Sequence, residues 1–283
     1  MDAPHASDAP AETFDQGLFF QHLTNPALGM PLRAFQNLDS TNQYLLDQAA
    51  KAATEGTLAL AESQNAGRGR HRRLWHSPAG RNLYFSLLLW PKTSPVRLSQ
   101  LAMLTALALH AAVLKQDPTL PLGLKWPNDL WLDSRKKLSG ILCECPAEEL
   151  NGTHGIVIGV EINVNAFAED FPQELQETAT SLRMHTGRPF SREILLADFC
   201  DEFYALYQRW LLSINLAPFL PLWRKHDILL GKTITVERPT DTPTGTVLGY
   251  TDQGLLLLQT PEKTLVISAG DVHIRHESLR QDS

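Results

Sequence analysis

Cysteine is scarce in this 283-residue chain: Cys143, Cys145 and Cys200 are the full set. Three thiols make no even disulfide framework and no secretory leader precedes them, so reduced cysteines in a cytoplasmic protein are the expectation. Cys143 and Cys145 have no second ligand pair to complete a metal site, and alternation along a strand accounts for their spacing. Apolar runs are short as well. The longest, "LAMLTALALHAAVL", falls below the ~20 residues a membrane span needs, and no membrane attachment is expected. There is no G-x-x-x-x-G-K-[ST] phosphate loop, no G-x-G-x-x-G opening a helix, no G-x-S-x-G elbow and no H-E-x-x-H. These absences set aside P-loop, dinucleotide-binding, serine-hydrolase and zinc-protease chemistry.

Negative charge is missing from one long stretch. Residues 63–116 contain no Asp or Glu, while Arg68, Arg70, Arg72, Arg73, Arg81, Lys92, Arg97 and Lys115 supply eight positive charges. The whole chain is −6, which leaves −14 on the remainder. An acidic protein argues against general nucleic-acid affinity, and a cationic loop placed on one points to a small anionic ligand. The length gives room for one large domain, or a large one with a small companion.

Patterning then supplies the elements. The first dozen residues, "MDAPHASDAPAE", are expected to lack fixed structure, and a poorly ordered extension is drawn to residue 30. "LDSTNQYLLDQAAKAATEG" reads as a helix with a Ser40/Gln43 capping box and a stop at Gly56. "TLALAESQ" and "NLYFSLLLW" read as strands, and "RLSQLAMLTALALHAAVLKQ" as a long helix ended by Asp117-Pro118. "LGLKWPNDLWLD", "KLSGILCECPA" and "HGIVIGVEINVN" are further strands. Successive strands after two helices give an α+β class with a mixed sheet flanked by helices. Ser191 caps a helix over "REILLADFCDEFYALYQRWLL", and a shorter helix runs near residues 219–226. From residue 231 short strands and turns form a small β-barrel, so the catalytic domain is placed at 31–230 and the barrel at 231–283.

Four stretches carry chemistry. In "QNAGRGRHRR", Gly67 and Gly69 let the backbone approach a ligand, and arginine forks bind carboxylate and phosphate. With no apolar residue between Gln64 and Leu74 and no acid nearby, this loop is expected to stay mobile until an anion neutralises it. "LKWPNDLWL" is a turn set in an aromatic, polar corner, where Trp126 or Trp131 either fills the core or lines a ligand. Lys136 and Lys137 precede a strand containing Gly140, and serve either as a solvated pair or as phosphate ligands. In "IGVEINVN", Asn163 and Asn165 are unfavourable to bury unless bonded.

Together these resemble the biotin–protein ligase (biotin–[acetyl-CoA-carboxylase] ligase) family. Its ordered marks stand here as "DSTN" at 39–42, "ESQNAGRGR" at 62–70, "W-x-SP-x-G-x-NLYFS" at 75–86, "KWPND" at 125–129, "KLSGIL" at 137–142 and "IGVEINVN" at 158–165. The resemblance implies the biotin/lipoate ligase catalytic fold with an SH3-like C-terminal barrel. It also implies a two-step reaction: biotin and ATP, with Mg2+, give biotinyl-5′-AMP, and a lysine of the biotin carboxyl carrier protein then takes the biotin. By the same resemblance Ser40, Thr41 and Gln64 bond the ureido head of biotin, and Asn42 lines that pocket. Gly67, Arg68 and Arg70 grip carboxylate and phosphate, Trp75 walls the ligand, and Gly140 leaves it room. Lys137 contacts the α-phosphate. Asn128, Arg73 and Asn163 face the nucleotide, and Asp129 lies near nucleotide and metal and assists the incoming lysine.

Two departures stand out from the family pattern. His71-Arg72 replaces the usual Arg-Gly. Glu161 stands where glycine is common, so it either adds negative charge to the site or pairs with an arginine. Members that repress transcription carry a winged helix-turn-helix before "DSTN". Here 38 residues precede Asp39 without a basic recognition helix, so no DNA binding is expected. A homodimer is left open. The competing readings are a lipoate ligase or octanoyltransferase, a biotin-sensing repressor, and a module that holds an adenylate without turnover.

Overall fold

The computed structural model describes residues 13–70 and 73–274. The chain opens with helix α1 (Gln16–His22), capped by Asp15, whose carboxylate accepts the Leu18 N–H at 3.1 Å. Strand β1 (Leu32–Leu38), helix α2 (Thr41–Ala49), β2 (Leu58–Gln64) and β3 (Leu83–Leu89) follow, then the long helix α3 (Leu101–Gln116). Next come β4 (Leu122–Lys125), β5 (Asp129–Leu132), β6 (Lys136–Glu144), a small hairpin of β7 (Glu149–Leu150) and β8 (Thr153–His154), and β9 (Ile156–Ile162). Helices α4 (Leu182–Thr186), α5 (Arg192–Leu212) and α6 (Leu220–His226) lead to five strands: β10 (Thr233–Glu237), β11 (Thr244–Tyr250), β12 (Leu256–Gln259), β13 (Thr264–Ile267) and β14 (Asp271–Ile274).

The larger sheet has the order β1-β2-β3-β9-β6-β5-β4, with β1 parallel to β2 and the other neighbours antiparallel. It is the mixed sheet expected from the succession of strands. Alternation divides its residues between two faces. Leu58, Leu60, Phe85, Leu87, Ile158, Val160 and Ile162 join α3 and α5 in the main core, while Ala59, Leu88 and Val157 pack with Leu45 and Ala49 of α2 in a second cluster. Each fully buried leucine of this kind stabilises the fold by roughly 1.5–3 kcal/mol. The helical run Pro95–Gln116 is long and apolar enough to cross a bilayer by composition, but it is the core helix: eleven residues of α3 are buried.

The α2-facing side is apolar at one end only. Toward the other end, β3, β9 and β6 present Ser86, Gly159, Glu161 and Gly140, which occupy opposed register positions. This polar half of one sheet face is the floor of the site.

Three expectations need correction. Residues 13–30 are ordered, although the extension was drawn through them: Phe14, Phe19 and Leu28 are buried in the core, and Asp201 of α5 accepts the Thr24 and Asn25 N–H groups. Three apolar anchors outweigh the polar start; the rest of that expectation, residues 1–12, lies outside the described residues. Helix α2 stops at Ala49, short of Gly56, because Ala52 turns left-handed at φ 56°. Only half of the capping box forms: Ser40 Oγ accepts the Gln43 N–H at 3.4 Å, but the Gln43 amide turns to Asp47 at 2.9 Å. The C-terminal strands form a five-stranded antiparallel sheet ordered β13-β12-β11-β10-β14, and among the described residues no ladder joins its end strands.

Candidate active site

A cavity of about 450 Å³ lies over the polar half of the sheet, large enough for a small-molecule ligand. At one end, Thr41 at the start of α2 donates its N–H and Oγ1–H to Gln64 Oε1, at 3.0 and 3.2 Å. Gln64 Nε2 donates to Ser77 Oγ at 3.4 Å and to Glu161 Oε1. Asn42 Nδ2 donates to Leu142 O and Glu144 Oε2, and its Oδ1 lies 2.5 Å from Ser86 Oγ. Ser40, Thr41, Asn42, Gln64 and Ser86 are buried and their partners are held by the protein, so the polar end is rigid before any ligand arrives.

The arginine loop folds as a hairpin over the cavity. Gly69 N–H donates to Arg73 O at 2.7 Å, and Trp75 N–H to Gly67 O at 2.9 Å. Acids arrive from distant segments, contrary to the expectation that none screens these arginines. Arg73 pairs with Asp271 of β14 at 2.5 Å, and Arg68 lies 3.7 Å from Glu144 while donating to Gln43 at 3.1 Å. Arg70 donates to Asn128 Oδ1 at 3.5 Å. The His71-Arg72 departure lies outside the described residues.

The third wall comes from the β4–β5 hairpin and the start of β6. Asn128 Nδ2 donates to Ile141 O at 2.6 Å, which pins the turn to β6. Lys137 Nζ sits 2.8 Å from Asp129 Oδ1 and 5.5 Å from the Trp75 ring centre. Its backbone bonds both Thr178 and Thr180, drawing that segment alongside. Lys136 instead donates to Gln176 O at 2.9 Å and lies outside the cavity lining. Gly140 is required by crowding, because a Cβ there would lie 3.0 Å from Trp75 and 3.4 Å from the Lys137 side chain. Asn163 donates to Thr180 O at 3.0 Å, while its buried Oδ1 has no protein partner. Asn165 is a different case: both ends of its amide bond the Phe190 backbone, which satisfies it away from the cavity.

Of the fourteen residues singled out from sequence, thirteen line this one cavity. Gly67 does not, but it packs beneath: a Cβ there would lie 3.0 Å from Gln64 Nε2 and from Ser77 Oγ. Trp126 and Trp131 serve both alternatives left open for them. Trp126 is buried, bonds Gly254 O at 2.9 Å and lines the cavity, and Trp131 lines it beneath Lys125.

Sequence reasoning missed Lys125 and the contribution of β14. Lys125 Nζ lies 4.2 Å over the Trp131 ring, has no ion pair among the described residues, and is pushed down to about 8 by burial. An ammonium held on an aromatic face beside arginines suits an anionic ligand. Its signal in the sequence was the "KWPND" corner itself. Gly270, Asp271, Val272 and His273 complete the wall, and nothing in their local sequence announces it. Among the described residues Glu161 pairs with no arginine; it bonds Gln64, and burial pushes its carboxyl up to about 8.

Comparison with known proteins follows from this geometry. The Biotin/lipoate A/B protein ligase family matches residues 34–163, and the Biotin protein ligase C terminal domain matches residues 229–275. The bifunctional ligase/repressor BirA of Bacillus subtilis is 32% identical over 252 residues, covering 89% of this chain and 76% of that protein. The biotin–[acetyl-CoA-carboxylase] ligase of Paracoccus denitrificans is 31% identical over 239 residues, covering 83% and 96%. Among solved structures, the biotin protein ligase of Aquifex aeolicus in complex with biotin and ATP superposes with a TM-score of 0.76 at 28% identity, covering 87% of this chain and 99% of that one.

Proposed function

This chain belongs to the biotin/lipoate A/B protein ligase family, and from that premise we propose how its own side chains join biotin to ATP and then to a carrier lysine. The activity is that of an ATP-dependent biotin protein ligase. One observation carries the assignment of roles: a rigid polar end built on Ser40, Thr41 and Gln64 runs, within a single cavity, into the cations Arg68, Arg70 and Lys137. A cyclic urea with an acidic tail and a triphosphate match those two ends.

In the first step the biotin carboxylate oxygen attacks the α-phosphorus and the bond to pyrophosphate breaks. Negative charge grows on the phosphoryl oxygens, and Lys137 and Arg70 stabilise it from positions set before the reaction. Arg68 brings the carboxylate, which would otherwise be repelled by the triphosphate. Lys125 and Arg73 add positive charge toward the β14 wall, where the polyphosphate extends. The arginine hairpin covers the mixed anhydride and limits its hydrolysis. In the second step a carrier lysine amine attacks the biotinyl carbonyl and AMP leaves. Asp129 accepts the amine proton once Lys137 turns to phosphate. Among the described residues no group of three His, Cys, Asp or Glu side chains gathers to hold a metal. Mg2+ would accompany the nucleotide's phosphates beside Asn128 and Asp129, and takes no step here.

The lipoate alternative wants an apolar slot, whereas this end of the cavity presents Thr41, Asn42, Gln64 and Glu161. The test is incubation with ATP, Mg2+, biotin and an apo biotin carboxyl carrier domain, followed by streptavidin detection. Labelling with biotin and none with lipoate is expected; no labelling, or equal labelling with lipoate, defeats the proposal.

A further inference from the structure

Glu161 is an acidic side chain on the cavity floor, bonded to Gln64 of the polar end and within the field of the cation Lys137. Alternation along β9 puts Val160 and Ile162 in the core and turns Glu161 to the cavity. Its strand neighbours on that face are Tyr84 of β3 and Gly140 of β6. Glu161 Oε1 accepts from Gln64 Nε2; the other oxygen makes no hydrogen bond to a described residue and is not sealed from the cavity.

The groups packed around it define its charge. Gln64 of β2, Asn42 of α2 and Ser77 of the hairpin are neutral, and burial holds the Tyr84 proton tightly. Lys137 of β6 is the cation whose field reaches Glu161, and it is already paired with Asp129. Glu62, two residues before Gln64, is neutralised by Arg192, and Glu144, which accepts from Asn42, lies 3.7 Å from Arg68. Ionised Glu161 would thus be a largely uncompensated anion in a pocket whose ligand carries a carboxylate, and in low dielectric two such charges repel strongly.

We propose that Glu161 is a specificity residue under proton control: neutral, it admits an anionic acid such as biotin, and ionised, it repels that acid. The proposal rests on the biotin reading above and deepens it. Burial supports the neutral form, since it raises the carboxyl to about 8. Linkage fixes the sign. A bound anion raises that value further, so affinity is flat at lower pH and falls as pH rises through the value in the free protein. Lys125 loses charge over the same range, so the test has to separate the two.

The experiment is calorimetric titration of the wild-type protein with biotin across the range from about pH 6.5 to about pH 9. The dissociation constant is expected to rise about tenfold between about pH 7 and about pH 9. Glu161→Gln, which keeps the amide-accepting oxygen and has no proton to lose, should cut that rise to about threefold or less. Biotinamide, with an uncharged tail, should show the same flattening on the wild-type protein, and this arm stands even if the variant folds poorly. A full rise in Glu161→Gln moves the titration to another group and overturns the inference. So does an equal rise with biotinamide, because repulsion of the carboxylate is then not the cause. Biotin binding that is flat with pH in the wild-type protein also refutes it while leaving the ligase reading intact; absence of biotin binding at every pH defeats that reading itself.

Discussion

Replacing Arg192 by methionine tests how the site is held. Arg192 Nη1 lies 2.7 Å from Glu62 Oε2 and 3.2 Å from Asn82 O, and the two charged side chains are 5% and 7% exposed. Glu62 Oε1 also accepts the Phe14 N–H at 2.5 Å, and Asn82 Oδ1 accepts the Val164 N–H at 2.9 Å. One buried pair thus clamps the N-terminal segment, the strand leading to Gln64, the end of the arginine hairpin, and the segment carrying Asn163. Arg192→Met leaves Glu62 buried without its counter-ion, a loss of about 3–5 kcal/mol. At roughly 2–4 °C per kcal/mol for a chain of this size class, the melting temperature should fall by about 10 °C. Adding Glu62→Gln removes the stranded charge while retaining an acceptor for Phe14, and should restore at least half of the loss. Thermal unfolding followed by circular dichroism reads both quantities. A single variant that loses under about 1 kcal/mol, or a double variant no more stable than the single, refutes the reasoning.

Two predictions concern the chemistry. Lys137→Ala should slow biotin-dependent ATP–pyrophosphate exchange by about 10²-fold or more while changing biotin affinity about threefold or less, since its charge acts on the transition state; a purely KM effect would contradict that role. Gly159→Ala would place a Cβ 2.2 Å from Asn42 Oδ1. It should displace Asn42 and lower biotin affinity about tenfold with a loss of about 1–3 kcal/mol in stability, both readable by titration and thermal melting; unchanged affinity would show that Asn42 has no part in the pocket.

Much of this protein was legible in its residues. Period-two patterning marked the core strands, because neighbours along a strand point oppositely. Serine caps at 40 and 191 fixed two helix starts, since local hydrogen bonds need only nearby sequence. The N-terminal segment misled because polar composition hides a few well-spaced apolar anchors, Phe14, Phe19 and Leu28, whose burial depends on α5 being in place.

By itself, then, the sequence determined which segments become strands or helices and which side chains are candidates for the chemistry, because those properties are set by local periodicity, capping and residue type. Only the tertiary structure decided who neutralises whom. Asp271 is 198 positions from Arg73 in the chain and 2.5 Å from it in space, and Glu62 and Arg192 stand 130 apart and meet at 2.7 Å. Charge in a folded protein is felt through space and depth of burial, neither of which can be read along the chain. For that reason the carboxyl at 161 could be recognised from sequence as an acid near a ligand, while the burial that pushes its pKa up and its bond to Gln64 had to wait for the packing of β2 and β9.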